Sequence, residues 1–486
     1  MQMGVHVDHA SWLPRRAATT FCRSPGVVAE EDGGGAGDCN RVEWLATPSR
    51  TTADLQTLGK SARGRVKRAD HATLPEAPPR EAVAILRAGD ETRVAALLPI
   101  RYGRMAVSPF TFYRGAAAIM AHDLAASPVS GIRVQCCGDA HLSNFGGFAT
   151  PERNVVFDVN DFDETAPGAW EWDVKRLAAS VEIAGQTIGF KRAQIADAVA
   201  GCLELYRCRM AEFAAMSTLD VWYFKVDEAA LADAIRAASP KTLEHTATSS
   251  HLFPRVEKAA DGALRFADTP PHVFHDTTDA SLDLASGAFA AYARTLPADR
   301  RALFERYRLA DVATKVVGVG SVGTRCLIAL FVAGAGDRLI LQVKEATASV
   351  LEPYAGTVPF ENHGERVVVG QRLIQFASDV FLGWMRGPDG HDYYVRQLRD
   401  LKTSADIEKL GVSQFSAYAA LCGRALARAH SRGSGLAAAI AGYLGRGAAF
   451  DEAVARFARA YAEVNARDYE ALLAAIKSGE VPAEKG

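Results

Sequence analysis

Asp139 and Asn144 stand five positions apart in Cys137-Gly138-Asp139-Ala140-His141-Leu142-Ser143-Asn144. Phosphoryl transfer asks for a carboxylate beside the attacking hydroxyl and a nearby carboxamide oxygen on a metal, and one rigid loop with this spacing can supply both. His141, in the same loop, joins Asp139 as a catalytic candidate. The competing reading is an ordinary turn, since Asp and Asn side chains readily bond their own backbone. A second acidic stretch follows, Asp158-Val159-Asn160-Asp161-Phe162-Asp163-Glu164. Magnesium takes oxygen ligands and usually binds through one or two carboxylates plus substrate phosphates. Asp161 is therefore the metal-ligand candidate beside Asn144, with Asp163 as a second, whereas Asp158 points the other way along its strand. A solvated acidic turn is the alternative.

A third cluster lies far along the chain. Gly318-Val319-Gly320-Ser321-Val322-Gly323 carries the G-x-G-x-x-G spacing, which alone is weak. A dinucleotide site would need a helix directly after it and an acidic residue about twenty positions on. Neither is clear, because the apolar run Cys326–Val332 reads as a strand. Gly318, Gly320, Ser321 and Gly323 then form a hairpin tip whose backbone N–H groups can approach phosphates. Leu339–Lys344 reads as a second strand ending in Lys344, a candidate for the nucleotide phosphates. An acidic residue on the next helix would hold that lysine: Glu365, with Glu361 and Glu352 behind it. The competing reading makes Lys344 an edge-strand lysine that discourages aggregation.

The elements that must position these groups alternate in period. Strand-like runs at Ile132–Cys136 and Val155–Val159 flank the two loops. Helical stripes follow, through Val174, Leu177, Ala178, Val181 and Ile188, then through Ile195, Val199, Cys202, Leu203, Tyr206, Met210 and Phe213. Residues 306–405 read as β, with strands at Val316-Val317, Cys326–Val332, Arg338–Val343 and Tyr393–Leu398 and one helix over Glu361–Gln375. The end of the chain is helical again. Residues 1–85 show no apolar periodicity and read as a largely disordered or surface-draped tail. Four parts result: that tail, a helical block 86–305 with the catalytic and metal loops, a β-rich block 306–405, and C-terminal helices 406–486.

Composition narrows the function classes. With 55 Lys and Arg against 57 Asp and Glu, the formal charge of −2 argues against a broad nucleic-acid-binding face. The longest apolar run, Cys326–Ala335, is far short of the ~20 residues a membrane span needs. The 8 cysteines form no C-x-x-C pair, which suggests neither zinc nor a disulfide framework and fits a reducing cytoplasm.

The loop Gly138–Asn144, then Asp161-Phe162-Asp163, then Trp172-Asp173-Val174-Lys175-Arg176-Leu177-Ala178 resembles the catalytic stretch of aminoglycoside and choline phosphotransferases, which share the protein-kinase-like fold. Cys137 stands where those enzymes usually carry His. The resemblance implies that Asp139 is the catalytic base, that Asn144 and Asp161 hold magnesium, and that Asp173 buttresses the loop; a plain helix N-cap is the other reading of Asp173. More closely, Pro99 to Tyr469 resembles the bacterial family called domain of unknown function 2252. The residues that carry it include Arg101-Tyr102-Gly103-Arg104-Met105, Phe112-Tyr113-Arg114-Gly115, Val316–Arg325, Leu341–Ala346 and Tyr394-Val395-Arg396-Gln397-Leu398.

The fold class implied is α+β and bilobal, kinase-like. The catalytic motifs precede the phosphate loop, the reverse of ordinary kinases, and a circular permutation resolves this. Helix Gln414–Arg432 would then end near the start of Ile132–Cys136. The activity implied is an ATP- and Mg2+-dependent phosphotransferase with an unidentified small acceptor. A pseudokinase or nucleotide-binding scaffold, nucleotidyl transfer on the same fold and, on the glycine loop alone, a dinucleotide-dependent oxidoreductase are the other readings.

Overall fold

Thr51 and Asp54 cap each other: the Asp54 amide donates to the Thr51 hydroxyl and the Thr51 amide to the Asp54 carboxylate, both at 3.1 Å. Helix α1 (Thr52–Ala62) starts there. The computed structural model describes residues 50–74, 80–226, 254–259, 262–270, 272–275, 282–316, 322–356, 358–398 and 405–484. The expectation of a disordered tail over 1–85 is corrected where it falls on described residues. α1 packs so closely on the C-terminal region that a Cβ at Gly59 would lie 1.9 Å from the Ala439 carbonyl oxygen, and Arg63 gives Nε to the Tyr443 carbonyl at 2.8 Å. Leu55, Leu58, Gly59 and Ala62 do have helical spacing, but two of the four are too small to register as an apolar stripe.

Short helices α2 (Ala82–Ala88), α3 (Leu98–Met105), α4 (Pro109–Gly115) and α5 (Ala117–Ala125) lead to four short strands: β1 (Arg133–Cys136), β2 (Phe145–Ala149), β3 (Val155–Val159) and β4 (Ala166–Ala169). β1 pairs antiparallel with β4 and β2 with β3. Helices α6 (Trp170–Ile188), α7 (Arg192–Phe213) and α8 (Thr218–Tyr223) follow. Nearly all of the first four turns of α6 is buried, so this helix is the spine of the larger core.

Strands β5 (Val256–Lys258), β6 (Leu264–Phe266) and β7 (Val273–Phe274), then helices α9 (Leu282–Thr295) and α10 (Ala298–Phe304), precede the main sheet strands β8 (Arg308–Lys315), β9 (Cys326–Val332) and β10 (Arg338–Glu345). The strand expected at Val316-Val317 lies instead at β8, where Arg308, Asp311 and Lys315 interrupt the apolar run; Val317 is outside the described residues. After helices α11 (Glu352–Ala355) and α12 (His363–Ile374) come β11 (Gly383–Arg386) and β12 (Asp392–Gln397). The sheet is six-stranded, in the order β11-β12-β10-β9-β8-β7. Tyr292 and Phe304 pack on Phe331 and Phe381 to cover one face.

Helices α13 (Val412–Ser434), α14 (Ala437–Leu444) and α15 (Ala449–Ser478) close the chain. α13 crosses α7 so tightly that a Cβ at Gly423 would lie 2.2 Å from the Cys202 carbonyl oxygen. Its last turn reaches β1, where a Cβ at Gly433 would touch Gln135 at 3.4 Å. The architecture is mixed α+β, and no helix among the described residues is long and apolar enough to cross a membrane.

Candidate active site

The four short strands explain how two loops become one site. In the β2–β3 hairpin Phe145 faces Val159, so the residues just outside that pair must meet, and the Asn160 amide donates to the Asn144 carbonyl at 2.8 Å. In the β1–β4 pair Cys136 faces Ala166, which brings 137–139 alongside 163–165. Gly138 is required at that crossing: its φ is +83° and a Cβ there would lie 2.0 Å from the Glu164 carbonyl oxygen. Asp139, Asp161, Asp163 and Glu164 consequently line one cavity of about 280 Å³.

Asp139 is held from several sides. Arg176, on the second turn of α6, donates Nε to Oδ1 at 2.5 Å and Nη2 to the Tyr113 carbonyl at 3.1 Å. The Asn144 side-chain NH2 donates to the Asp139 carbonyl at 2.9 Å and to Asp139 Oδ2 at 3.4 Å. Burial raises the Asp139 carboxyl above its ordinary range although Arg176 pulls the other way. His141 places Nε2 3.5 Å from Asp139 Oδ2, is 3% exposed and does not line the cavity. Burial, with Arg114 and Arg176 nearby, drives its pKa well below the ordinary value, so it sits neutral behind Asp139. The turn reading describes the bonds of the Asn144 side chain to the Asp139 backbone and Oδ2, but not the pairing of Asp139 Oδ1 with Arg176.

Asp173 is not a helix N-cap; Ala169 holds that position. Its carboxylate, 1% exposed, accepts the backbone amides of Cys137 at 2.8 Å and Gly138 at 3.0 Å, and the Cys137 thiol at 3.2 Å. A carboxylate can only accept, so His430 donates Nε2–H to it at 3.1 Å, while His430 Nδ1 hydrogen-bonds the Tyr206 hydroxyl at 2.8 Å. The loop that carries Asp139 is thus pinned to α6 and α13.

Lys344 arrives from the sheet. β10 lies between β9 and β12, with Lys344 opposite Cys326 and Tyr394, and the residue is 3% exposed. The edge-strand reading is therefore overturned. Its ammonium pairs with Asp163, 181 residues earlier, while the Tyr394 hydroxyl donates to the other Asp163 oxygen at 2.7 Å. Burial opposes charge on both partners, yet attraction prevails: Lys344 lowers the Asp163 pKa, and Asp161, ahead of Asp163, raises the Lys344 pKa.

The expectation that Glu365 holds Lys344 is corrected by this pairing. Glu365 lies at the start of α12, where its amide donates to the Asn362 side chain at 3.1 Å. The next residue, about 100° around the helix, faces the site instead. Arg366 is fully buried and donates to the carbonyls of Thr165 (2.5 Å), Asp163 (2.8 Å) and Thr347 (2.8 Å). Glu352 pairs with Arg366 at 3.5 Å; no ion pair joins Lys344 to Glu352, Glu361 or Glu365 among the described residues. Gly318, Gly320 and Ser321 lie outside the described residues. Gly323 is described, with φ +95° and its carbonyl accepting the Val94 amide at 2.7 Å.

The donor set bears on magnesium. Lys344 and Tyr394 occupy the two Asp163 oxygens, leaving Asp161 as the unpaired aspartate on the cavity wall; Asn144 stands behind it and does not line the cavity. No group of three or more His, Cys, Asp or Glu among the described residues is arranged to hold a metal. An ion here would complete its shell with water and ligand phosphates, the usual magnesium arrangement. Glu164, whose Oε2 accepts the Val350 amide at 2.8 Å, is pushed up to about 7 by burial and can carry a proton near neutral pH.

Three site residues went unassigned in the sequence reading: Arg176, Arg366 and Glu164. Arg176 carried a signal, a charge beside Lys175 inside an apolar helical stripe; the other two carried none. Residues 93–475 match the family described as "Uncharacterized protein conserved in bacteria (DUF2252)". No curated protein and no solved structure matches the chain.

Proposed function

The chain belongs to this DUF2252 family, and we propose that it is an ATP- and magnesium-dependent phosphotransferase on a circularly permuted, kinase-like arrangement, acting on a small acceptor. One observation carries the reading: Asp139 and Asp161 line one cavity with Asp163, and Lys344 reaches that same Asp163 from a different part of the chain. Two half-sites, each incomplete alone, meet in one place. The permutation draws support from α13, whose end lies against β1, the strand that leads into the Asp139 loop.

The residues divide the work by chemistry. Asp139, raised by burial and oriented by Arg176, accepts the acceptor's hydroxyl proton. The freed oxygen forms a bond to the γ-phosphorus as the bond from that phosphorus to the β-bridging oxygen breaks, and ADP leaves with the electron pair. Lys344 has three donors, one spent on Asp163, so it can also serve a nucleotide phosphate. Asp161 and Asn144 would hold magnesium, which supplies positive charge against the phosphates. Asp163 acts here as the anchor of Lys344.

Calorimetry with ATP, with and without magnesium, tests the reading together with Asp139→Asn and Lys344→Ala. Lys344→Ala should weaken ATP binding. Asp139→Asn should leave ATP affinity within a few-fold and lower phosphate transfer, or slow ATP hydrolysis, by at least ~100-fold, the usual contribution of a positioned proton acceptor. Absence of ATP binding by the wild type in either condition refutes the proposal. Binding without turnover across a broad acceptor panel moves the protein to the nucleotide-binding scaffolds.

A further inference from the structure

The cavity of Asp139 and Asp161 has a second wall that the proposed transfer leaves unused. Arg93, Arg101 and Arg114 stand there, contributed by the residues after α2 and by α3 and α4 rather than by the sheet. Their charges are met unequally. Arg101, 3% exposed, gives Nη1 to Asp90 and Nη2 to the Gly115 carbonyl, each at 3.3 Å. Arg93 gives Nη1 to the Val322 carbonyl at 2.7 Å, and burial together with the charge of Arg101 pushes its pKa down to about 10.

Arg114 differs from both. It makes no ion pair and no side-chain hydrogen bond among the described residues, and its Nε is buried without a partner. It feels the charges of Asp139, Glu408 and Asp161, but burial outweighs them and lowers its pKa. Two of the facing carboxylates are already engaged, Asp139 by Arg176 and Asp163 by Lys344, and Asp161 reaches Arg114 only through its field. A half-buried guanidinium whose buried Nε has no acceptor and whose charge is in no ion pair is costly, and a planar donor fork suits an oxyanion.

Position decides which oxyanion. Lys344 belongs to the sheet side, where the nucleotide would lie, and of the three arginines Arg93 is the one that meets the connection before β9, at the Val322 carbonyl. Arg114 belongs to the helical side and is electrostatically coupled to Asp139, the group that meets the acceptor. The cavity, about 280 Å³, is at the lower end of ordinary ligand sites and suits a small molecule.

Building on the phosphotransferase reading, we propose that this wall binds an oxyanion of the acceptor, phosphate or carboxylate, through Arg114 with Arg93 and Arg101 behind it. The acceptor is then an acidic small molecule whose hydroxyl is turned toward Asp139.

The test uses the full chain with magnesium and a non-hydrolysable ATP analogue, titrated with inorganic phosphate and with acetate. Wild type, Arg114→Gln and Arg114→Lys are compared. Arg114→Gln should weaken binding of the anion that the wild type prefers by ~10- to 100-fold, the range of a charge-assisted hydrogen bond. Arg114→Lys should recover part of it, and the ATP analogue should bind all three within a few-fold. Anion affinity unchanged in Arg114→Gln overturns the proposal. So does an equal loss for the anion and the ATP analogue, which would assign the arginine to the nucleotide. A wild type that binds phosphate but no ATP analogue refutes the phosphotransferase reading instead, and the acceptor role falls with it.

Discussion

Replacing Asp173 with Asn changes one oxygen into an NH2 group at a point where nothing can move aside. The carboxylate accepts four hydrogens: Oδ1 takes the Gly138 amide, and Oδ2 takes the Cys137 amide, the Cys137 thiol and His430. The best that Asn can do is keep its oxygen at the crowded Oδ2 position and turn its NH2 toward the Gly138 N–H. A buried amide is then orphaned, at about 1–3 kcal/mol, and the remaining bonds lose their charge assistance, at about 1 kcal/mol each. Removing a buried charge returns part of this, so the net loss should be about 2–4 kcal/mol. Urea unfolding measures the total, and hydrogen exchange localises it: the Cys137 and Gly138 amides, in the loop after β1, should lose protection before α6 does. Asp173 positions Asp139 without touching it, so slower phosphate transfer at nearly unchanged ATP affinity should accompany the loosened loop. A stability change below about 0.5 kcal/mol, the scatter of surface substitutions, with unchanged protection at Gly138, would refute the reasoning.

Two further predictions concern the same scaffold. Lys175 is fully buried, with no hydrogen-bond partner for Nζ and the Phe457 ring 4.6 Å away, and burial, opposed by the Glu171 charge, lowers its pKa to about 8. The folded state therefore binds fewer protons than the unfolded state between about 8 and the ordinary 10.5, so the cost is fully present at pH 7 and fades as pH rises through that window. Lys175→Met should stabilise the protein at pH 7 by about 1–3 kcal/mol, with the difference from wild type shrinking toward pH 10.5; denaturant melts across that range check it, and a pH-independent difference counts against it. Gly138→Ala would drive a Cβ into the Glu164 backbone at a positive φ and should cost several kcal/mol; a melting temperature equal to wild type would show that the two loops are not packed as described.

The secondary structure around the site was legible because its signals are local. Alternating or continuous apolar runs marked β1, β3, β9, β10 and β12, and the 3.6 period marked α6, α7 and α12. The acidic loops stood out because their residue types are costly to use without a purpose. Other features were hidden for identifiable reasons. Whether Glu365 or Arg366 faces the sheet is a difference of one residue, about 100° of helix rotation, and the pattern of α12 does not resolve it. α1 was hidden because glycine and alanine supply its contact face. The partner of Lys344 could not be read at all, since nothing local to either residue encodes a pairing across 181 positions.

The hidden and the legible residues are related by charge. Each carboxylate that the motifs place beside the cavity must be compensated on burial, and the compensation comes from outside its own loop. Arg176 on α6 answers Asp139, Lys344 on β10 answers Asp163, and Arg428 on α13 answers Asp158 at 2.5 Å behind the site. Each pair ties a loop of the β1–β4 region to a different part of the chain, so the ion pairs that make the acidic loops tolerable also fix the relative placement of helix, sheet and C-terminal bundle. The motif predicts that counter-charges exist, and only the fold says who supplies them. Two cavity carboxylates, Asp161 and Glu164, have no ion pair among the described residues: Glu164 is pushed up to about 7 by burial, whereas Asp161 acts on Lys344 through its field. Among the aspartates of the site, Asp161 is therefore the one with capacity left for a cation brought by a ligand.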